Sequence, residues 1–454
     1  MASIITNKFS VLNAKNFERF ITGVFGNTYI TFGRNLSWPN SDTVPTPVDT
    51  SNTFFNYYND LSALKKITAS DINLVIPRVD WTANTVYIEY GQDVELYSKA
   101  NTSNVSYDNS FYARNNKDQV FKCLFNANSS NSTIMPEINI DGQLPENPFI
   151  LNSDSYKWKY MYTIPAGLKE KFFTNAYMPI TSEPAVTNSA VDGRLDIIKI
   201  SANGAGFNAN SNSNSLSILT VSGDGSNANI TVKVSSTAAN GANIVDYTII
   251  NGGNNYTRAT ISIVDTLKIA GTANANLVPV ISPPGGHGSS VENELGAASL
   301  MISVGFEADE NGDFPIDDGF RQIGILKDIK NANGTYASNT TYRATTKYAL
   351  TQPNKDFLHQ ETVYVGTSVA NSTFSAVVDA YSSGTYYLYV NNVNGTVTAP
   401  ASLIGNTSGA IATILSINEP DIKRYSGDLL YIENTSIITR SQTETQQVKL
   451  TLRF

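Results

Sequence analysis

This chain is short of the side chains that most enzymes use for chemistry. It has one cysteine, Cys123, and two histidines, His287 and His359, in 454 residues. A single cysteine excludes an intrachain disulfide and any multi-cysteine metal site. Cys123 lies in the apolar run Val120 to Phe125 with no histidine nearby, which predicts a buried, inert thiol. No His-x-x-x-His or Gly-x-Ser-x-Gly is present, so zinc-hydrolase and nucleophile-elbow chemistries lack their signatures. His287 sits between glycines, in a stretch too free to hold a catalytic imidazole rigidly. Charge is also scarce: 15% of residues, 31 basic against 39 acidic, for a net charge of −8. With no basic tract there is no footprint for phosphates, so no nucleic-acid partner is expected. No apolar run approaches the ~20 residues of a membrane span. Lys8, Lys15, Glu18 and Arg19 occupy the region where a signal peptide needs an apolar core, so synthesis in a cytoplasm without membrane insertion is expected. No catalytic residue, metal or cofactor is assigned from these residues.

What is abundant points to β-structure. The polar residues are chiefly Asn, Ser and Thr, and there are 24 Tyr, 20 Phe and 30 Gly, a composition of strands and turns. By association only, low-charge β-proteins of this kind are common among secreted adhesins and virion parts. The length predicts two to four domains. Two helices are expected near the N-terminus. One runs from Ser10, as its cap, to Thr22. The other spans Phe54 to Ile67, with Phe54, Tyr58, Leu61 and Leu64 on one face and Lys65 and Lys66 in the last turn. Strands are expected at Tyr29 to Arg34, Thr85 to Tyr90, Val120 to Phe125, Tyr156 to Pro165, Leu300 to Phe306 and Gly319 to Leu326, with a polar loop over 100–117. The end of the chain alternates: Val448, Leu450, Leu452 and Phe454 share a face, the pattern of a half-buried strand. Asp428 to Glu433 is a further strand, followed by a turn at Asn434 to Ser436 and a short strand at Ile437 to Thr439.

Two changes of texture interrupt this framework. Over 195–291 Gly, Asn and Ser dominate, and a faint repeat pairs Ile197 to Phe207 with Ile244 to Tyr256: strand, Gly/Asn turn, aromatic. Over 332–418 short strands recur at barrel-like spacing. The expected fold is mainly β: a layered β-sandwich core with a few short helices, built from 1–194, 292–331 and 419–454, and two inserted all-β modules at 195–291 and 332–418, the second a small β-barrel. Insertions at loop tips cost little closure entropy.

Four local patterns bear on chemistry. Glu307, Asp309, Asn311, Gly312, Asp313 and Asp318 follow the spacing of a calcium loop, but glutamate stands where aspartate is usual, the final ligand is aspartate, and Pro315 interrupts; an acidic hairpin is the expectation. Gly285-Gly286-His287-Gly288 follows two prolines rather than a strand, which favours a turn over a phosphate cradle. In Tyr156 to Tyr162, aromatic residues and lysines alternate; the aromatics are expected in the core, with Lys157 and Lys159 in water, rather than as a sugar platform. Paired carboxylates for glycoside hydrolysis cannot be recognised by counting, and the regular repeats usual in polysaccharide-cleaving tail enzymes are missing.

Five stretches in order carry a resemblance: Ile30-Thr-Phe-Gly-Arg34 with Trp38, Val75-Ile-Pro-Arg-Val-Asp-Trp81, Tyr156-Lys-Trp-Lys-Tyr-Met-Tyr-Thr-Ile-Pro165, Gly319-Phe-Arg-Gln-Ile-Gly-Ile325, and Arg424-Tyr-Ser-Gly-Asp-Leu-Leu-Tyr-Ile-Glu-Asn434. Together they resemble the baseplate wedge subunit of T-even-like contractile-tailed bacteriophages, the gene product eight family. The resemblance covers the discontinuous core and leaves out both modules. It implies a non-enzymatic structural protein of the virion tail baseplate. The family forms homodimers among other wedge proteins, and the wedges rearrange on host attachment to trigger sheath contraction. A glycan- or receptor-binding tail protein is the alternative.

Overall fold

The computed structural model describes residues 4–23, 27–40, 43–97, 110–139, 149–207, 215–216, 219–235, 242–263, 274–314, 319–441 and 443–454. The chain is mainly β, with short helices and a closed six-stranded barrel. It divides into two compact units. One holds Met1–Ala14, Leu74–Leu300 and Arg453–Phe454, and the other Lys15–Asn73 and Met301–Leu452. The first helix is Asn7–Thr22, which begins a turn earlier than expected, so Ser10 is a buried residue within it and not its cap.

In the first unit, the strands Tyr112–Arg114, Gln119–Asn126, Tyr156–Thr163 and Phe149–Leu151 form an antiparallel sheet in that order. The Tyr112–Arg114 strand falls where a loop was expected. Tyr156, Trp158 and Tyr160 pack with Tyr87, Phe121, Cys123 and Val186, which rules out a sugar platform on those rings. The expected split between aromatics and lysines is half right. Lys159 is buried as deeply as the rings, and Lys157 is half-buried with its Nζ donating to the Asp196 carbonyl at 2.7 Å. The sheet is covered on both faces, so alternation does not here separate core from solvent. Thr85 to Tyr90 is not a strand. Its amides go to separate acceptors, Ile88 N–H to the Ser110 carbonyl and Tyr90 N–H to that of Cys123, although Tyr87 and Tyr90 are buried.

The same unit carries the Gly/Asn-rich module. Its first and last strands, Leu195–Asn203 and Ala275–Ile281, pair antiparallel and bring its two ends together. The repeat has a physical meaning. Gly204 and Gly206 precede Phe207, and Gly253 and Asn255 precede Tyr256, all four with positive φ. Each turn drives its aromatic ring into one shared core with Leu195, Ile198, Ile230 and Ile244.

In the second unit an antiparallel sheet runs Thr341–Arg343, Leu61–Lys66, Thr28–Gly33, Gly319–Lys327, Asp428–Thr439. Leu61–Lys66 corrects the second predicted helix. The helix is only Ser51–Asn59, capped by Thr50, whose hydroxyl accepts from Thr53 N–H at 3.2 Å; Asp60 ends it. The helical spacing of Leu61 and Leu64 is overridden by pairing: Leu64 sits opposite Thr31 and Ala63 opposite Phe32. Lys65 serves no helix dipole; its ammonium meets the Glu310 carboxylate at 2.5 Å. Phe32 is the hub of an aromatic cluster, with ring centroids 4.7 Å from Phe306 and 4.8 Å from Phe320, pairs worth about 0.5–1.5 kcal/mol each beyond their burial. Gly324 is required in the middle strand because a Cβ there would strike the Tyr57 hydroxyl.

The barrel closes in the order Thr346–Leu350, Tyr387–Gly395, Ser372–Ser382, Thr362–Gly366, Ala401–Gly405, Ile411–Asn418. Its own core includes Tyr348, Val363, Phe374, Leu388 and Leu403. It therefore begins at Thr346; Thr341–Arg343, placed with the module by the sequence, belongs to the five-stranded sheet.

Asp428–Thr439 is one strand, with no turn at 434–436. The apparent turn is a register shift: Gln322 faces Asn434 and Phe320 faces Ile438. The last strand, Thr445–Arg453, neighbours Ser299–Glu307, as expected of a terminus returning to the core. Its burial is less than expected. Leu450 is buried, Val448 and Leu452 are half-buried, and Phe454 is exposed. The strand is a sheet edge, so only part of its apolar face is covered.

Candidate functional site

The residues singled out for chemistry resolve into structural roles. His287 is the clearest departure from expectation. It is not free in its glycine loop but buried, in a cluster with Lys122, Glu294 and Tyr90. The glycines on either side have φ of +91° and +93°, which turns the imidazole inward. Lys122 Nζ lies 2.9 Å from Glu294 Oε2 and 3.4 Å from His287 Nδ1, and 4.5 Å above the Tyr90 ring. Glu294 Oε1 accepts from Gly288 N–H at 2.7 Å. Burial pushes the Glu294 carboxyl up, but the Lys122 ammonium and His287 outweigh it and hold it down at about 2. Burial, helped by Lys122, lowers His287. Burial also lowers the Lys159 ammonium to about 8, against the pull of Asp196 and Glu294. The trio has the composition of an acid–base site, but its three side chains are spent on one another inside the fold. The other histidine, His359, is exposed in the second unit, its Nδ1 3.3 Å from the Asp379 carbonyl.

Two amides of the glycine loop are already engaged by carboxylates, Gly285 N–H by Asp192 and Gly288 N–H by Glu294, which agrees with a turn and leaves no phosphate cradle there. In the acidic hairpin the carboxylates diverge to separate partners. Glu310 takes Lys65 and the Glu307 N–H, and Asp313 accepts from Thr341. Asp318 lies outside the described residues. Among the described residues no group of three or more His, Cys, Asp or Glu is placed to hold a metal ion, and no helix is long and apolar enough to cross a membrane. Cys123 is buried, its thiol pushed well up by burial.

One feature of the second unit that faces solvent is a groove of about 370 Å³ between the chain entering the Ser51–Asn59 helix and the Asp428–Thr439 strand. Pro47, Val48 and Phe54 form one side, and Leu429 to Ile432 the other. Two contacts hold the outer wall in place: Trp38 Nε1 donates to the Thr435 carbonyl at 2.9 Å, and Asn434 Nδ2 to the Pro45 carbonyl at 2.8 Å. The strand is the last in its sheet, paired with Gly319–Lys327 on one side only. A register shift between Ile325 and Leu326 leaves Leu430 unopposed and turned outward, 37% exposed. Val48 is 61% exposed, Phe55 50% and Tyr425 49%. Phe54, Phe55, Tyr58 and Tyr425 form a chain of ring contacts beside the groove. Tyr425 holds its place from a left-handed backbone, φ +60°, which costs a non-glycine residue about 1–2 kcal/mol. The charges on this surface are acidic: Asp49 lines the groove, and Asp428 and Glu433 stand at the ends of its strand wall. Sequence reading missed the groove. Its one signal was the unbroken run Leu429 to Ile432, which has more apolar residues than one buried face can use. No protein-family profile matches the chain, and no curated protein matches it.

Proposed function

We propose that this protein is a structural subunit of the baseplate wedge of a contractile-tailed bacteriophage, acting as a homodimer among other wedge proteins. It would reside in the tail baseplate after synthesis in the host cytoplasm. The reading rests on the five ordered stretches that resemble that wedge family. Physical roles in the fold are compatible with it. Ile30 to Gly33, Val75 to Pro77, Tyr156 to Thr163 and Gly319 to Ile325 all lie in strands, largely buried ones. The fifth stretch runs into the edge strand beside the groove. A framework of buried aromatics with solvent-facing strand edges suits a part whose work is to be packed between neighbours. Obligate assembly interfaces generally exceed ~2,000 Å².

The test is a phage stock carrying a stop codon early in this gene. We expect particles that lack assembled baseplates and contractile tails, with the protein found by mass spectrometry in purified wild-type tails. Complete, contractile particles that fail only to adsorb, rescued by adding purified protein with affinity for host glycans, would favour the receptor-binding alternative.

A further inference from the structure

We propose that the groove between Pro47 to Phe54 and Leu429 to Ile432 docks an extended segment of another protein, in which apolar residues alternate with lysine or arginine, added as an extra strand to the free edge. This goes beyond the baseplate reading and does not depend on it. Three observations carry it. First, the Asp428–Thr439 strand has a partner on one side only, and an unpaired strand edge offers backbone donors and acceptors that an extended chain satisfies. Second, the groove is formed in advance. Trp38 and Asn434 fix its wall, the Thr50 cap fixes the start of the helix, and a four-residue span of strand is about 13 Å long. Leu430 and Val48 stand exposed at its lips, where apolar side chains of an incoming strand would bury them. Third, the charge is of one sign. Asp49, Asp428 and Glu433 mark this surface. A second copy adding by the same antiparallel edge would bring these carboxylates together, whereas a basic strand would neutralise them.

The experiment uses the full-length protein and a fluorescent heptapeptide alternating valine and lysine, followed by anisotropy. Controls are the same peptide with glutamate for lysine and one N-methylated at alternate backbone positions. We expect the lysine peptide to bind, with affinity falling as salt rises, and both controls to bind at least tenfold more weakly. Leu430→Asp and Val48→Asp, both at exposed positions, should each weaken binding about tenfold with an unchanged circular dichroism spectrum. Asp49→Lys should weaken the lysine peptide and strengthen the glutamate peptide. Equal binding of the lysine and glutamate peptides, indifference to N-methylation, indifference to Leu430→Asp, or no binding at all would overturn the proposal. So would self-association of the protein that Leu430→Asp abolishes, which would give the groove to a second copy.

Discussion

Residue by residue, the chain shows how poorly type predicts role when burial is unknown. Cys123 was legible because, Lys122 apart, the residues from Val120 to Phe125 around it are apolar. His287 and Lys159 were not, because glycines and alternation both suggested exposure, and only the covering of the sheet on both faces buries them. The Lys122–Glu294 pair is deeply buried, so removing one partner leaves an uncompensated charge. Lys122→Met or Glu294→Gln should cost about 3–5 kcal/mol, read by urea denaturation. The double variant Lys122→Met/Glu294→Met should cost less than the sum of two single methionine substitutions. An additive result would mean that the charges do not interact. The cluster also sets a pH dependence. Glu294 and His287 both have lower pKa values in the fold than in the unfolded chain. Unfolded reference values are about 4.3 for glutamate and about 6.5 for histidine. The stability they contribute is present above those values and lost as pH falls, first below about 6.5 through His287 and then from about 4.3 down to about 2 through Glu294. Denaturation midpoints at pH 7, 5 and 3.5 should fall more steeply in the wild type than in Glu294→Gln; parallel curves would refute this.

Whole elements were easier to foresee than their limits. The closed barrel, the aromatic-rich strand at Tyr156–Thr163 and the return of the C-terminus to a strand were visible as periodicity and turn spacing. The Leu61–Lys66 strand was hidden because its leucines also satisfy helical spacing, and the choice is made by pairing with Thr28–Gly33, a contact remote in sequence. The barrel's boundary depends on such contacts as well. Thr341–Arg343 pairs with Leu61–Lys66, and the Asp421 amide donates to the Arg343 carbonyl at 3.0 Å, so the chain enters and leaves the barrel side by side. Replacing 346–418 by a short turn should therefore leave the rest of the second unit folded. It should be less stable, because Asp60 loses Asn392 and Ser62 loses Asp379. Deleting 332–418 removes a sheet strand besides and should abolish cooperative unfolding. Equal behaviour of the two deletions in calorimetry would contradict the boundary. In the C-terminal strand the uneven burial gives an ordering. Leu450→Ala should cost about 2–5 kcal/mol, while Phe454→Ala, at an exposed position, should stay within about 0.5 kcal/mol. Truncation after Gln447 should cost at least as much as Leu450→Ala.

At the scale of the molecule, we propose a part made to be held among neighbours. Cys123 and the Lys122–His287–Glu294 cluster are turned inward, and the groove and strand edge of the second unit are the surface we propose for docking another chain. The proposed assembly role rests on five short stretches taken together, since each alone is an ordinary piece of chain. The groove was not readable, because it joins residues 47–54 to 429–432, almost the length of the chain apart. The most direct measurement is a cryo-electron microscopy map of the intact tail from a phage encoding this protein. The account predicts two copies in each wedge, packed among neighbouring wedge proteins, with an extended segment of one neighbour lying along Leu429 to Ile432. A single copy exposed at the distal tip of a fibre, or no density for the protein in the tail, would contradict it.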